Sequence, residues 1–241
     1  MSADDNQPKC KALLFDFMGT CLDWHSTILS QLPETIPQDE RSALCIEWRH
    51  RYFDSNTARQ ARGEPPEDID VTHRRVLAEV LAQPEKAHIK AFFTPEVVEE
   101  LIGAWHRQKA WPDVRPALQS LREKGYEVFV HANGTTRLQL NNARSANLQF
   151  NMMFSSQLLG VYKPAPEAYL KTLDLIKRRP EECVMVAAHA SDVRGAKAVG
   201  MKTVYIHRWT DDVNEDQEVV QKENDAYLEG MKHLVETIDK L

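Results

Sequence analysis

The stretch "LLFDFMGTCLDWHS", Leu13 to Ser26, governs how the rest of the chain is read. A short apolar run ends on Asp16, and a Gly19-Thr20 pair follows three residues later. A carboxylate at the end of a buried strand costs several kcal/mol unless something requires it there. Position 18, between the aspartate and the turn, is a methionine.

Working outward, "KALLFDF" (11–17) reads as a buried strand, a short apolar run bounded by turn residues. No comparable run follows until Trp111. Helices are predicted instead over 26–32, 40–61, 69–82 after the "EPPED" break, and 95–109, the last opening with a Thr94 cap and Pro95 in its first turn. Beyond Trp111 the pattern is helix, stop at Gly125, strand and loop through 136. Further strands are predicted in 150–156 and 183–192, then a helix closed by Gly200 and one more strand within 196–208. The stretch from Asp211 to Asp225 reads as a charged, amide-rich tail, and 227–239 as a surface helix. Helices alternating with buried strands imply an α/β fold with a parallel sheet covered on both faces. An all-helical insertion interrupts it after the first strand.

The chain has 241 residues, 42% hydrophobic and 27% charged, which suits a globular protein with a real core. A formal net charge of −6 offers no basic field for nucleic acid. No apolar run approaches the roughly 20 residues needed to cross a bilayer. The opening "MSADDNQPKC" is polar and acidic, unlike a signal or transit peptide. The four cysteines (Cys10, Cys21, Cys45, Cys183) lie far apart with no C-x-x-C pair, so a reduced, cytoplasmic protein is expected.

Open α/β sheets place their sites beyond the carboxyl ends of the strands. Four polar clusters fall at such positions: Asp16, then Asn133-Gly134-Thr135, then Lys163, then His189 with Asp192. Together with "DFMGT" (16–20), "ANGT" (132–135), "YKPAPEAY" (162–169) and "HASD" (189–192), they make the chain resemble the haloacid dehalogenase superfamily. The likeness is closer to the L-2-haloacid dehalogenase branch. Asp16, Gly19, Thr20, Asp23, His25 and Ser26 fit its first motif, Trp48-Arg49 its tryptophan-arginine pair, and Tyr169 its tyrosine six residues after the lysine.

The resemblance implies a Rossmann-like parallel-sheet core, 1–23 and 112–241, with a helical cap, 24–111, inserted after the first strand. It also implies chemistry. Asp16 would be the nucleophile, forming an aspartyl ester that water cleaves, so that two easier steps replace one difficult one. Thr20 would orient that carboxylate or simply serve as a turn residue. Lys163 would keep Asp16 ionised, since an opposite charge nearby favours the charged form. Asp192 would steer Lys163, help activate water, or cap a helix. Arg49 would accept the departing halide, with Asn133 sharing the role and Trp48 and Met18 lining the substrate site. Tyr169 is open between a place near the ester and an apolar helix anchor. His189 is open between a general base near neutral pH and a buried structural histidine. His131, alternating with Ala132 along its strand, should point away from the site.

Met18 separates the branches. Phosphatases of the superfamily carry a second aspartate there, which protonates the leaving alkoxide. Methionine cannot donate a proton, and a halide leaving group needs none. The substitution leaves Mg²⁺ open, because that position would contribute only its backbone carbonyl. The chain also departs from the dehalogenase pattern: Ala132 replaces a serine before Asn133, and Ala187-Ala188-His189 replaces Ser-x-Asn before Asp192. The expectation is a hydrolase of the dehalogenase-like subclass, acting on a 2-haloacid or related small molecule without a cofactor. A homodimer is expected from the resemblance. The alternatives are a phosphatase with altered acid catalysis and a catalytically idle binding protein.

Overall fold

The computed structural model describes residues 10–64 and 67–241. The acidic opening of the chain and the Pro65-Pro66 break lie outside them. The chain divides into two compact units, one of Met1–Asp23 with Ala110–Leu241 and one of Trp24–Lys109.

The first unit is built on a six-stranded parallel sheet. Its strands are β1 (Ala12–Phe15), β4 (Glu127–Ala132), β5 (Met152–Ser155), β6 (Cys183–Ala187), β7 (Lys202–Ile206) and β8 (Ala226–Leu228), in the order β5-β4-β1-β6-β7-β8. Two short strands, β2 (Leu22–Asp23) and β3 (Lys109–Ala110), pair separately. β1 is central: Phe15 is in register with Val130 on one side and Val186 on the other. The period-two rule then divides each strand between two cores. Leu13, Phe15, Val128, Val130, Val184 and Val186 pack with helices α6 (Val114–Glu123) and α12 (Leu234–Ile238). Ala12, Leu14, Phe129, Met185 and Tyr205 pack with α9 (Pro166–Ile176) and α10 (Ala190–Ala198). Helices on both faces of a mostly parallel sheet make this a Rossmann-like α/β fold. α7 (Thr136–Ser145), α8 (Ser156–Leu159) and α11 (Gln217–Glu223) complete the unit.

The expected surface helix over 227–239 is corrected. Its first residues form β8, which pairs in parallel with β7 through Tyr205–Tyr227 and Ile206–Leu228. Leu228 packs on one core while Tyr227 stacks on Tyr205 on the other face, with centroids 5.4 Å apart. Asp225 pins the strand by accepting from the Thr203 amide. Only the later residues are helical, in α12, which buries Leu234 and Ile238.

The second unit is helical: α1 (Trp24–Leu29), α2 (Gln38–Ala61), α3 (Ile69–Leu81), α4 (Ala87–Lys90) and α5 (Pro95–Ala104). Among the described residues no strand falls inside 30–105. Thr94 caps α5 by accepting from the Val97 amide. The helix stops at Ala104 rather than running to 109, because later groups take other partners. The Gln108 side-chain amide donates to the Trp105 carbonyl, and the Lys109 amide donates to the Thr27 hydroxyl. Among the described residues no helix is long and apolar enough to cross a membrane.

His73 lies in the core of this unit. Its ring is stacked between Tyr52 (4.2 Å) and Trp105 (4.0 Å), with the edge of Trp48 against it. Neither ring nitrogen has a hydrogen-bond partner among the described residues. Burial first, then the Arg49 charge, holds its pKa well below the ordinary value. A histidine kept neutral when folded contributes fully only above its unfolded pKa, near 6.5. As pH falls below that value the unfolded state takes up protons and stability drops, by about 1.4 kcal/mol one pH unit lower. His73→Phe should therefore flatten the stability loss between pH 7.5 and 5.5, as read from urea midpoints. An unchanged slope would show that the ring is protonated in the folded protein.

Candidate active site

Asp16 leaves β1 with its backbone amide still bonded to the Val186 carbonyl (3.0 Å), so its position is continuous with the sheet. The chain then turns tightly. Cys21 and Leu22 both donate to the Phe17 carbonyl, and Gly19 adopts φ +89°, a conformation that favours glycine. A Cβ on Gly19 would also lie 2.5 Å from the Asp211 carboxylate. The turn brings the Thr20 hydroxyl back to donate to Asp16 Oδ2 at 2.6 Å, while accepting from the Ala188 amide at 2.8 Å.

The carboxyl ends of the neighbouring strands deliver the rest. Lys163 Nζ donates to Asp16 Oδ1 at 3.0 Å and forms a second, shorter bond to Asp192 Oδ2. Its side chain is buried. Asn133 holds the backbone of that lysine at both ends: Nδ2 donates to the Lys163 carbonyl and Oδ1 accepts from its amide, each at 2.9 Å. α10 begins at Ala190, six residues before the expected helix, which places Asp192 in its first turn. Its cap comes from elsewhere, the Asp212 carboxylate accepting from the Ala190 amide.

His189 Nδ1 lies 3.1 Å from Asp16 Oδ2, and Nε2 lies 3.2 Å from Asp211 Oδ1. Asp211 was not among the expected site residues. It follows β7 as Asp16 follows β1, so the strand-end rule that selected the other four clusters would have found it. Reading it as the start of a charged tail hid it.

Burial alone would raise the Asp16 pKa. Lys163, then His189 and Thr20, outweigh that and hold it well below the usual carboxylate range. Lys163 is pushed down by burial but raised more by Asp16 and Asp192. Asp192 is raised, chiefly by burial. His189 is raised well above its ordinary value because Asp16 and Asp211 outweigh burial. The resting site is thus an ionised, oriented carboxylate facing an ammonium and an imidazolium.

Asp16, His189 and Asp192 offer ligand atoms within 4.8 Å of one another, close enough for a metal ion. Asp16 and Asp192, however, already share the Lys163 ammonium. A dication held there would lie beside that ammonium and compete with it for the two carboxylates.

The remaining expected residues divide. The Tyr169 hydroxyl donates to the Asp192 backbone carbonyl at 3.1 Å, and its ring anchors α9 in the core, so it supports a site residue from behind. His131 is buried on the face opposite Ala132, edge-on to Tyr169. Met18 is half-buried in the turn and forms a backbone bridge with Leu22. Trp48 and Arg49 belong to the helical unit. Trp48 is buried there and donates to the His73 carbonyl. The Arg49 guanidinium lies 4.3 Å from the Phe53 ring centre and within 5.7 Å of those of Trp24, Tyr52 and Trp105.

The family model for haloacid dehalogenase-like hydrolases matches residues 10–200. The chain belongs to that family and is a hydrolase. It is 27% identical over 213 residues to (S)-2-haloacid dehalogenase 1 of Pseudomonas sp. (strain CBS-3), covering 86% of this chain and 87% of that protein. It is 25% identical over 195 residues to the phosphoglycolate phosphatase of Aquifex aeolicus (strain VF5), covering 80% and 83%. The crystal structure of the L-2-haloacid dehalogenase PA0810 superposes with a TM-score of 0.81 at 27% identity, over 96% of this chain and all of that one.

Proposed function

We propose that this hydrolase cleaves the carbon–halogen bond of a 2-haloacid or a related small activated carbon compound, through an ester on Asp16. The observation that carries the reading is the ionised Asp16 carboxylate, paired with Lys163 and His189 in a turn that has methionine at position 18. In the first half-reaction a carboxylate oxygen attacks the carbon, the C–O bond forms, and halide leaves with the bonding electrons. No proton donor is needed. In the second half-reaction water attacks the Asp16 carbonyl carbon, and the product alcohol departs. Thr20 and Lys163 orient and charge the nucleophile, and Asn133 fixes the lysine's backbone. Arg49 is the proposed halide-holding cation, supported by its always-charged guanidinium among aromatic rings, where a weakly hydrated cation and a soft anion are both at ease.

The similarity to a phosphoglycolate phosphatase supports a second reading, phosphoryl transfer with altered acid catalysis. One experiment separates the two: halide and phosphate release from substrate panels, with and without EDTA. Halide release that survives the chelator is expected. Phosphate release abolished by EDTA and restored by Mg²⁺ would put the phosphatase first.

Ala132 and Ala187 stand where the dehalogenase pattern carries hydroxyls around the substrate carboxylate and the ester. A lost hydrogen bond to a charged group costs about 1.5–3 kcal/mol, or roughly ten- to 150-fold in rate. Turnover of 2-chloropropionate should accordingly be weak, with a better substrate that is bulkier or less dependent on carboxylate binding. Efficient use of 2-chloropropionate would overturn that preference.

The homodimer also remains a proposal. Of Trp48, Tyr52, Phe53 and Trp105 on the aromatic-rich helices of the helical unit, only Phe53 is exposed. Light scattering at micromolar concentration decides it.

A further inference from the structure

His189 is flanked by carboxylates on both ring nitrogens, Asp16 on Nδ1 and Asp211 on Nε2. An ionised carboxylate only accepts hydrogen bonds, so the ring donates to both only as the imidazolium. Asp211 is itself held in place. Its side chain is buried, Oδ2 accepts from the Thr210 hydroxyl at 2.7 Å, and the missing Cβ of Gly19 makes room for it. The next residue, Asp212, adopts φ +51° and bonds the Ala190 amide and the Tyr205 hydroxyl, tying this loop to the helix start beside His189.

We propose that Asp211 is a positioning residue for ester hydrolysis: it grips His189 by Nε2, and esterification of Asp16 converts the histidine from an ion-pair partner into the base that activates water. The proposal rests on the aspartyl-ester reading above. The charged groups around the ring include, among the described residues, Asp16 from the end of β1, Asp192 on α10, Asp211 and Asp212 after β7, and Lys163, which shares Asp16. Only Asp16 changes charge during the reaction. When it becomes an ester, the anion at Nδ1 disappears while the one at Nε2 stays. His189 then releases its Nδ1 proton to solvent, in step with the departing halide, and remains oriented by Nε2–H to Asp211.

The freed Nδ1 takes a proton from water as the water oxygen bonds to the Asp16 carbonyl carbon. Collapse breaks the bond between that carbon and the ester oxygen, and the Nδ1 proton passes to the departing alkoxide. Asp16, formed as the acid, protonates His189 and restores the resting pair. The sum is organic halide plus water giving alcohol, halide and one proton.

The test is rapid-quench kinetics with excess enzyme over 2-bromopropionate, reading bromide and the intact protein mass. Asp211→Asn should release bromide in the first turnover at close to the wild-type rate. It should then stall with a mass increased by one substrate alkyl group, the ester decaying roughly 10²- to 10⁴-fold more slowly. His189→Asn should behave alike, and should lack the acid limb that ester decay shows in the wild type. If Asp211→Asn does not fold, Thr210→Val should show the same split at smaller amplitude. Equal slowing of bromide release and ester decay, with no adduct, would assign Asp211 a purely structural role and overturn the proposal. No bromide from the wild type with 2-bromopropionate or with bulkier 2-bromoacids would defeat the aspartyl-ester reading itself, and the proposal with it.

Discussion

Asp16→Asn is expected to abolish halide release, by roughly 10⁵-fold or more, the scale on which an enzyme loses its nucleophile. The variant should still fold. The amide is isosteric, its oxygen can still accept from Lys163, and both cations keep a second carboxylate, Lys163 through Asp192 and His189 through Asp211. Intact mass after incubation with substrate should show no adduct. With one of its two anions gone, His189 should titrate at lower pH than in the wild type, which a proton NMR titration of the imidazole would reveal. Turnover within tenfold of wild type would mean that another group attacks the carbon.

Lys163→Met is the other substitution with a large expected effect, and it acts on stability and activity together. Removing one partner of a buried ion pair costs about 3–5 kcal/mol, because the remaining charge stays buried. Here two carboxylates would lose the same ammonium. The sign of the pH effect follows. In the wild type Asp16 titrates well below the usual range. Its contribution to stability is complete above the unfolded value near 3.9, and is lost only as pH falls on toward the folded pKa. Halide release in the first turnover, which precedes ester decay, should likewise stay level as pH falls through about 5. Without Lys163 the upward push of burial is less opposed, and both activity and stability should acquire an acid limb at higher pH. Thermal melts and bromide release across pH 4–8, a range spanning the ordinary carboxylate and histidine values of about 4 and 6.5, would show it. A Lys163→Met enzyme with wild-type stability and a flat profile would remove the lysine from the electrostatic account.

Most of the core was legible because its strands are buried on both faces and read as short apolar runs between turns. Strand-end placement then gathered Asp16, Asn133, Lys163, His189 and Asp192, residues up to 176 positions apart in sequence, at one edge of the sheet. What stayed hidden had a local disguise. Ala226-Tyr227-Leu228 is too short to show a period, and charged neighbours surround it. Asp211 lies in a stretch whose composition reads as solvated, although its carboxylate is buried. The end of α5 depended on a threonine eighty-two residues upstream, Thr27, which captures the Lys109 amide. Trp48, expected from the resemblance to line the substrate site, is fully buried in the helical unit against His73 and Trp105, packing that its sequence neighbours do not show.

The central strand has a consequence for how the chain reaches this state. β1 pairs with β4 on one side and β6 on the other, both far downstream, with the whole helical segment intervening before the first of them. Non-local parallel pairing must meet loop-closure entropy before contacts reward it, and it is slow for that reason. During synthesis the apolar run ending in Asp16 emerges early, and must wait for its first partner until residue 132 and for its second until residue 187 is available. The strand that carries the nucleophile is therefore also the segment most in need of protection from aggregation while the protein is being made.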